Sequence, residues 1–114
     1  MNELISATEQ GSVTILTLTS TNVDATNVAE LERELTELIS ETRCQLVLDM
    51  SHLNFISSAG LRSLLITAKS ARRHGGDLRL ANATPTVQRI LLLVGMQDIF
   101  RLFTDIPSAI ESFG

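Results

Sequence analysis

Apolar and polar residues alternate in two stretches near the start of the chain. The run Val13-Thr14-Ile15-Leu16-Thr17-Leu18-Thr19 is rich in β-branched side chains and predicts a strand, and Leu4 to Thr8 is a weaker candidate for another. Between them, Glu9-Gln10-Gly11-Ser12 has the polar and glycine composition of a turn. The pattern therefore predicts an N-terminal antiparallel hairpin.

Three longer segments carry apolar residues at spacings of three and four, the period of an amphipathic helix. The apolar positions are Val28, Leu31, Leu35 and Leu38 in the first segment, Leu61, Leu64, Leu65 and Ala68 in the second, and Val87, Ile90, Leu91 and Val94 in the third. Five glutamates between Glu30 and Glu41 fall mostly on the remaining surface of the first helix. Asp24 or Asn27 is suited to cap its start, because a short polar side chain satisfies free backbone N–H groups there.

The boundaries of the other elements follow from turn residues. The second helix begins near Ser58 and ends at Gly75-Gly76, since glycine accepts the left-handed conformation at a helix end. The third begins at Thr84-Pro85 and ends at Gly95. Further short strands are predicted at Cys44–Leu48, ending at Asp49, at Leu78–Leu80 and at Phe100–Phe103, and a last short helix at Pro107–Phe113.

Strands that alternate with helices require crossover connections, which produce a largely parallel sheet. We therefore predict an α/β fold: one domain over residues 1–114, with a central mixed, mostly parallel sheet of about five strands and about four helices. The composition agrees, because 114 residues with 44% hydrophobic side chains suffice for a single packed core.

Charge is distributed unevenly. Residues 1–57 carry nine acidic and two basic side chains, whereas residues 58–114 carry four acidic and seven basic ones. The net charge of −4 and the 4% aromatic content argue against nucleic-acid binding, which favours basic surfaces and stacking platforms. The acidic excess comes largely from the first long helix, and the basic excess from the second, between Arg62 and Arg73.

Motifs for catalysis, metal binding and membrane insertion are not found in the sequence. There is no phosphate-binding or dinucleotide-binding glycine motif, and His52 and His74 lack metal-ligand spacing, so both are expected on the surface. Cys44 is expected as a small buried apolar residue. The aliphatic run Ile90–Val94 is too short for a bilayer, and the N-terminus lacks a signal-peptide pattern. We expect a cytoplasmic protein that is not an enzyme, with no metal, cofactor or membrane insertion.

One polar segment stands out between the predicted strand that ends at Asp49 and the second helix. Two apolar residues, Phe55 and Ile56, are expected to anchor this loop, and adjacent hydroxyls follow at Ser57 and Ser58. A serine at a helix start is commonly a cap. The same position also suits a modification or anion site, because the helix dipole would stabilise the negative charge of a phosphoserine.

The sequence resembles the single-domain anti-sigma factor antagonists, which are built on the STAS domain. The resemblance rests on Asp49-Met50-Ser51, Phe55-Ile56 and Ser58-Ala59-Gly60-Leu61, whose order and spacing match the loop motif of that family. The C-terminal part of the chain also matches the family's order of helix, glycine, strand and helix. The matching residues are Val87, Leu91, Gly95-Met96, Phe100, Phe103 and Ala109-Ile110. The resemblance extends over essentially the whole chain.

This resemblance implies a protein switch. In the family, the unmodified antagonist binds an anti-sigma factor that is also an ATP-dependent serine kinase, which frees a sigma factor. The kinase phosphorylates the loop serine and so releases the antagonist, and a metal-dependent, PPM-type serine phosphatase resets the cycle. The matching serine is Ser58. Ser57 is a second candidate, and it stands where many phosphorylated members carry Asp, while Ala59 stands where many carry Ser or Thr.

The resemblance implies a partner-binding surface formed by Asp49, Ser57, Ser58, Gly60 and Arg62. Asp49 would shape the loop or contact the partner, and Arg62 is either an interface residue or a solvated charge. The free protein is expected to be a monomer. A second hypothesis is a constitutive STAS interaction module, a scaffold or lipid-transporter subunit that is not phosphorylated. A third, a small enzyme or nucleotide-binding protein, is disfavoured by the missing phosphate loop.

Overall fold

The computed structural model describes residues 4–96 and 98–114. In chain order its elements are β1 (Ile5–Gln10), β2 (Val13–Leu18), β3 (Asn22–Val23), α1 (Val28–Leu38), β4 (Gln45–Asp49), β5 (Phe55–Ile56), α2 (Ser58–Arg73), β6 (Asp77–Ala81), α3 (Pro85–Leu93), β7 (Arg101–Phe103) and α4 (Ile106–Glu111). No helix in these ranges is both long enough and apolar enough to cross a membrane.

A five-stranded mixed sheet, in the order β1-β2-β4-β6-β7, forms the centre of the molecule. The hairpin of β1 and β2 is antiparallel, with Ile5 opposite Leu18, and all the other neighbours are parallel. The predicted α/β architecture is therefore confirmed. Its extent over residues 1–114 stays a prediction, because residues 1–3 and 97 lie outside the described residues. The structure adds a feature that was not predicted, a second parallel sheet formed by β3 and β5.

The central sheet has a hydrophobic core on each face. Alternation along β4 sends Leu46 and Leu48 into the large core beneath α1 and α2, and Val47 into a smaller core beneath α4. Val13, Ala81 and Ala109 complete the buried part of the smaller core. β4 is consequently buried on both faces, as expected of a central parallel strand.

Helix α1 departs from the prediction at two polar positions. Leu31, Leu35 and Leu38 are buried as predicted, but Glu34 is buried with them. Its carboxylate accepts hydrogen bonds from the backbone N–H groups of Leu4 and Ile5, which offsets the cost of burying the charge. Asn27 occupies the N-cap position, but its side-chain oxygen accepts from the backbone N–H of Asp24 and does not cap the helix.

Outside the segment between β4 and α2, two predictions of buried apolar residues are wrong. Val94 is exposed because it is the C-cap of α3, where the chain turns away from the core through Gly95 at φ +71°. Cys44 is only half-buried, and β4 begins one residue later, at Gln45. The backbone carbonyl of Cys44 faces Gly76. A Cβ added at Gly76 would lie 1.9 Å from the carbonyl oxygen of Cys44. Only glycine therefore fits at Gly76, where the chain passes from α2 into β6.

Candidate functional site

The candidate site begins where β4 ends, at Asp49. Asp49 is 8% exposed, and its carboxylate accepts hydrogen bonds from the backbone N–H of Ser51 at 3.0 Å and from the side-chain amide of Asn82 at 3.1 Å. Asn82 follows the neighbouring strand β6 and adopts a left-handed conformation, with φ +60°. Asp49 therefore ties the loop after β4 to the end of β6. Both expected roles of Asp49, shaping the loop and contacting the partner, stay predictions.

Backbone hydrogen bonds fix the path of the segment between β4 and α2. The N–H groups of Asn54 and Phe55 donate to the carbonyl of Thr21, and the N–H of Ser57 donates to that of Val23 at 2.8 Å. The Thr84 hydroxyl donates to the carbonyl of Leu53 at 2.8 Å. The hydroxyl oxygen of Thr84 also accepts a hydrogen bond at the N-terminus of α3, which it caps. Asn82 and Thr84 were not predicted as site residues, because their hydrogen-bond partners, Asp49 and Leu53, lie 33 and 31 positions away in the sequence.

Of the two residues predicted to anchor this segment, only one is buried. Ile56 is 1% exposed and lies in the main core, whereas Phe55 is 47% exposed. The two residues form β5, and successive side chains of a strand point to opposite faces, so only one of them can face the core. The prediction for Phe55 is therefore wrong, and the buried residues that hold the loop are Met50, Leu53 and Ile56.

The two adjacent serines occupy different positions in the helix. Ser57 is the N-cap of α2, and its hydroxyl accepts a hydrogen bond from the backbone N–H of Gly60 at 3.2 Å. Ser58 is the first residue of the helix and is exposed. Within residues 4–96 and 98–114, its hydroxyl makes no hydrogen bond to another side chain or to the backbone. Capping thus accounts for the hydroxyl of Ser57, whereas that of Ser58 has no hydrogen-bond partner in the described ranges.

Gly60 allows α2 to begin close against the small sheet. A Cβ at this position would lie 2.7 Å from the side chains of both Ile56 and Val23, closer than van der Waals contact allows. The glycine thereby brings the first turn of α2 onto β3 and β5. The capping bond also links the backbone of Gly60 to Ser57.

Arg62 lies one turn after Ser58 on the same helix and is exposed. Among the described residues it makes no ion pair, and α2 contains no acidic residue. The structure thus brings Ser57, Ser58, Gly60 and Arg62 together at the start of one helix. Asp49 is held separately, by Ser51 and Asn82, at the opposite end of the loop.

The histidines lie apart from this region. Both His52 and His74 are exposed, as predicted, and Nδ1 of His74 lies 2.8 Å from the carbonyl oxygen of Ser70. In the described ranges, no three His, Cys, Asp or Glu side chains gather as metal ligands. The chemically distinctive features of the site are consequently an exposed hydroxyl, a helix N-terminus and an unpaired cation.

Comparison with known proteins places the chain in a family. The STAS domain family matches residues 5–109. A relative from Bordetella bronchiseptica, named "Putative anti-sigma factor antagonist BtrV", is 34% identical over 91 residues, which cover 80% of this chain and 78% of the relative.

Solved structures agree with this assignment at the level of the fold. The crystal structure of an anti-sigma factor antagonist from Mycobacterium paratuberculosis superposes with a TM-score of 0.83 at 20% identity, covering 95% of this chain and 91% of that one. The phosphorylated form of SpoIIAA, a Bacillus cell fate determinant, superposes with a TM-score of 0.68 at 16% identity, covering 96% and 99%. The chain therefore belongs to the family of STAS-domain anti-sigma factor antagonists.

Proposed function

We propose that the protein binds an anti-sigma factor that is also a serine kinase, and that phosphorylation of Ser58 ends this binding. In the unphosphorylated state it would hold the anti-sigma factor and free a sigma factor. A PPM-type serine phosphatase would hydrolyse the phosphoserine and restore binding. The observation that carries this proposal is the difference between the adjacent hydroxyls: that of Ser57 is engaged as the helix cap, while that of Ser58 is exposed.

The position of Ser58 suits transfer of a phosphoryl group. The kinase would transfer the γ-phosphoryl group of ATP to Oγ of Ser58, with loss of the hydroxyl proton and release of ADP. The first turn of α2 contains no acidic residue, and helical carbonyls cannot accept from its first N–H groups. A phosphate at Ser58 would therefore be stabilised by the N-terminal end of the helix dipole.

The same phosphate would oppose binding at an interface that includes Ser58. A phosphoserine carries nearly two negative charges at neutral pH, and a partner surface that fits a neutral hydroxyl would have to desolvate them. The helix itself tolerates the charge, so the cost would fall on the complex. A reversible switch requires that the phosphate cost more free energy in the complex than in the free protein.

The remaining site residues would support this switch. Asp49 would hold the loop through Ser51 and Asn82, Gly60 would allow the close approach of α2 to the small sheet, and Arg62 would contact the partner. SpoIIAA, which shares the fold, has been solved in a phosphorylated form, which supports the assignment. We propose that the protein acts by binding alone, as a cytoplasmic monomer without cofactor, and not as an enzyme.

Phosphorylation of the purified protein by its serine kinase tests the proposal. The wild-type protein, Ser58→Ala and Ser57→Ala would each be incubated with kinase and ATP, and phosphate mapped by peptide mass spectrometry. We expect label on Ser58 in the wild type and in Ser57→Ala, and none in Ser58→Ala. Label on Ser57 would contradict the assignment of Ser58. An unlabelled wild type that still binds the kinase would contradict the switch, and is what a constitutive interaction module would give.

Affinity measurements test the charge mechanism separately. Titration of the kinase with Ser58→Asp should show weaker binding than with Ser58→Ala, since aspartate supplies part of the phosphate charge. Ser58→Asn is the matched control, because it has the size of aspartate without the charge. Equal weakening by Asn and Asp would show that bulk, and not charge, opposes binding.

A further inference from the structure

One exposed face of α2 carries a row of cationic side chains around an isoleucine. Arg62, Ile66, Lys69 and Arg73 recur at spacings of four, three and four, which places them on one side of the helix, in line with Ser58. All four are exposed, and Ile66 is 49% exposed. We refer to Arg62, Ile66, Lys69 and Arg73 as the basic stripe.

The charge of the basic stripe is not balanced by the protein itself. In the part of the chain that the structure describes, none of its three cations forms an ion pair, whereas the neighbouring Arg72 bonds to Asp77 at 2.8 Å. Glu32 of α1 accepts a hydrogen bond from the Ser63 hydroxyl beside Arg62, but it forms no ion pair with the stripe, so the three cations remain available to a partner of opposite charge.

A groove of about 340 Å³ adjoins the C-terminal half of the basic stripe, between α1 and α2. Thr36 and Ile39 line it on the α1 side, and Ile66, Ser70 and Arg73 line it on the α2 side. No acidic side chain lines this groove. Two isoleucines, Ile39 and Ile66, beside the unpaired cation of Arg73 suit an aliphatic side chain that projects from an acidic segment.

We propose that the basic stripe and this groove bind an acidic amphipathic helix of the partner protein. Its carboxylates would meet Arg62, Lys69 and Arg73, and one apolar side chain would enter the groove beside Ile66. This inference rests on the proposed function and specifies the chemistry of the partner. Helices commonly dock with an apolar face in such a groove, and complementary charges fix their orientation.

The acidic helix of a second copy of this chain fits the stripe less well than such a partner. The acidic helix of this protein is α1, but its leucines Leu31, Leu35 and Leu38 are buried in its own core. Its exposed positions are charged or small, so α1 of a second copy has no apolar side chain to place in the groove. The occupant must therefore combine carboxylates with an exposed apolar residue.

The basic stripe also explains how a phosphate at Ser58 acts. Ser58 and Arg62 are four residues apart on the helix, within reach of a charge-assisted pair between phosphate and guanidinium. Phosphorylation would both repel an acidic partner and engage the nearest cation of the stripe. The effects of Ser58→Asp and Arg62→Gln on affinity should consequently be non-additive.

Titration of the serine kinase, with labelling of Ser58 measured in parallel, tests the inference. We expect Lys69→Glu and Arg73→Glu each to raise the Kd about tenfold, mostly through slower association, and Ile66→Ser to raise it through faster dissociation. The Kd of the wild type should rise with NaCl concentration, because salt screens exposed charges. The matched controls are Arg89→Glu and Leu92→Ser, exposed residues of α3 outside the groove, and these should change the Kd less than twofold.

The outcomes separate this inference from the proposed function. If Ser58 of the wild type is phosphorylated and the stripe variants bind like the controls, the inference is overturned while the switch stands. If the wild type is neither bound nor labelled, both are overturned. Light scattering on the free protein supplies a third arm: a wild-type dimer that Lys69→Glu converts to a monomer would identify a second copy as the occupant and overturn the acidic partner.

Discussion

Replacing Ser57 by alanine should destabilise the protein, whereas replacing Ser58 should not. The Ser57 hydroxyl accepts a hydrogen bond from the Gly60 N–H at 3.2 Å, and alanine would leave that donor without its cap. Loss of a serine N-cap costs about 1 kcal/mol, within a range of about 0.5–2 kcal/mol. The backbone N–H of residue 57 would still donate to Val23, so the loop keeps its path. Ser58 has no such bond, and its replacement should change stability by less than about 0.5 kcal/mol.

Urea unfolding followed by far-ultraviolet circular dichroism measures this difference. The chain has no Trp and no Tyr, so fluorescence is not a suitable probe. For a domain of this size, about 1 kcal/mol corresponds to a fall in Tm of about 4 °C. The slope of the unfolding transition should be the same for both variants, since neither changes the surface exposed on unfolding.

Two results would refute the reasoning. A Ser58→Ala variant that loses as much stability as Ser57→Ala would mean that Ser58 has a structural role. A Ser57→Ala variant with unchanged stability would mean that the capping bond contributes nothing. The pair also bears on function, because a stabilising cap at Ser57 leaves Ser58 as the hydroxyl that can be modified without loss of the fold.

Three further predictions concern other positions. Gly60→Ala should lower the unfolding free energy by about 1–2 kcal/mol in urea titrations, because its Cβ would lie 2.7 Å from Ile56 and Val23; unchanged stability would show that both side chains can move aside. Gly76→Ala should be far more damaging, costing about 3 kcal/mol or more, because its Cβ would meet the backbone carbonyl of Cys44 at 1.9 Å; a Tm near that of the wild type would contradict this close approach. Hydrogen bonds from the side chain and backbone of Ser108 hold the pKa of Asp105 below its usual 3.8. The loss of stability caused by Asp105→Ala should therefore be full at pH 7 and fade as the pH falls below 3.8 through the folded pKa. An effect of Asp105→Ala that does not change with pH would exclude this linkage.

The strands and helices of the main fold were predictable because each spans enough residues to show a period. The alternation of Val13 to Leu18 and the spacing of Leu31, Leu35 and Leu38 report which face is buried without knowledge of the partner element. Strands β3 and β5 contain two residues each and show no period, so only their pairing in space reveals them.

The positions that sequence missed depend on contacts between distant residues. Glu34 is buried because the N–H groups of Leu4 and Ile5, about 30 residues away, meet its carboxylate. Asn82 likewise reaches Asp49 only because β4 and β6 are parallel neighbours. The roles of Ser57 and Ser58 differ because α2 begins between them, and a helix boundary read from sequence is uncertain by more than one residue.

The small sheet of β3 and β5 has a consequence for how fast and how reversibly the proposed switch would respond. It anchors the backbone immediately before Ser58 through the bond from the Ser57 N–H to Val23, and both strands are in turn fixed to the main core. A residue held in this way can gain or lose a phosphate with no folding transition, so no ordering entropy opposes either direction of the cycle. The response time of the switch would then be set by its enzymes and by dissociation of the complex, and the same surface would be presented unchanged after every round.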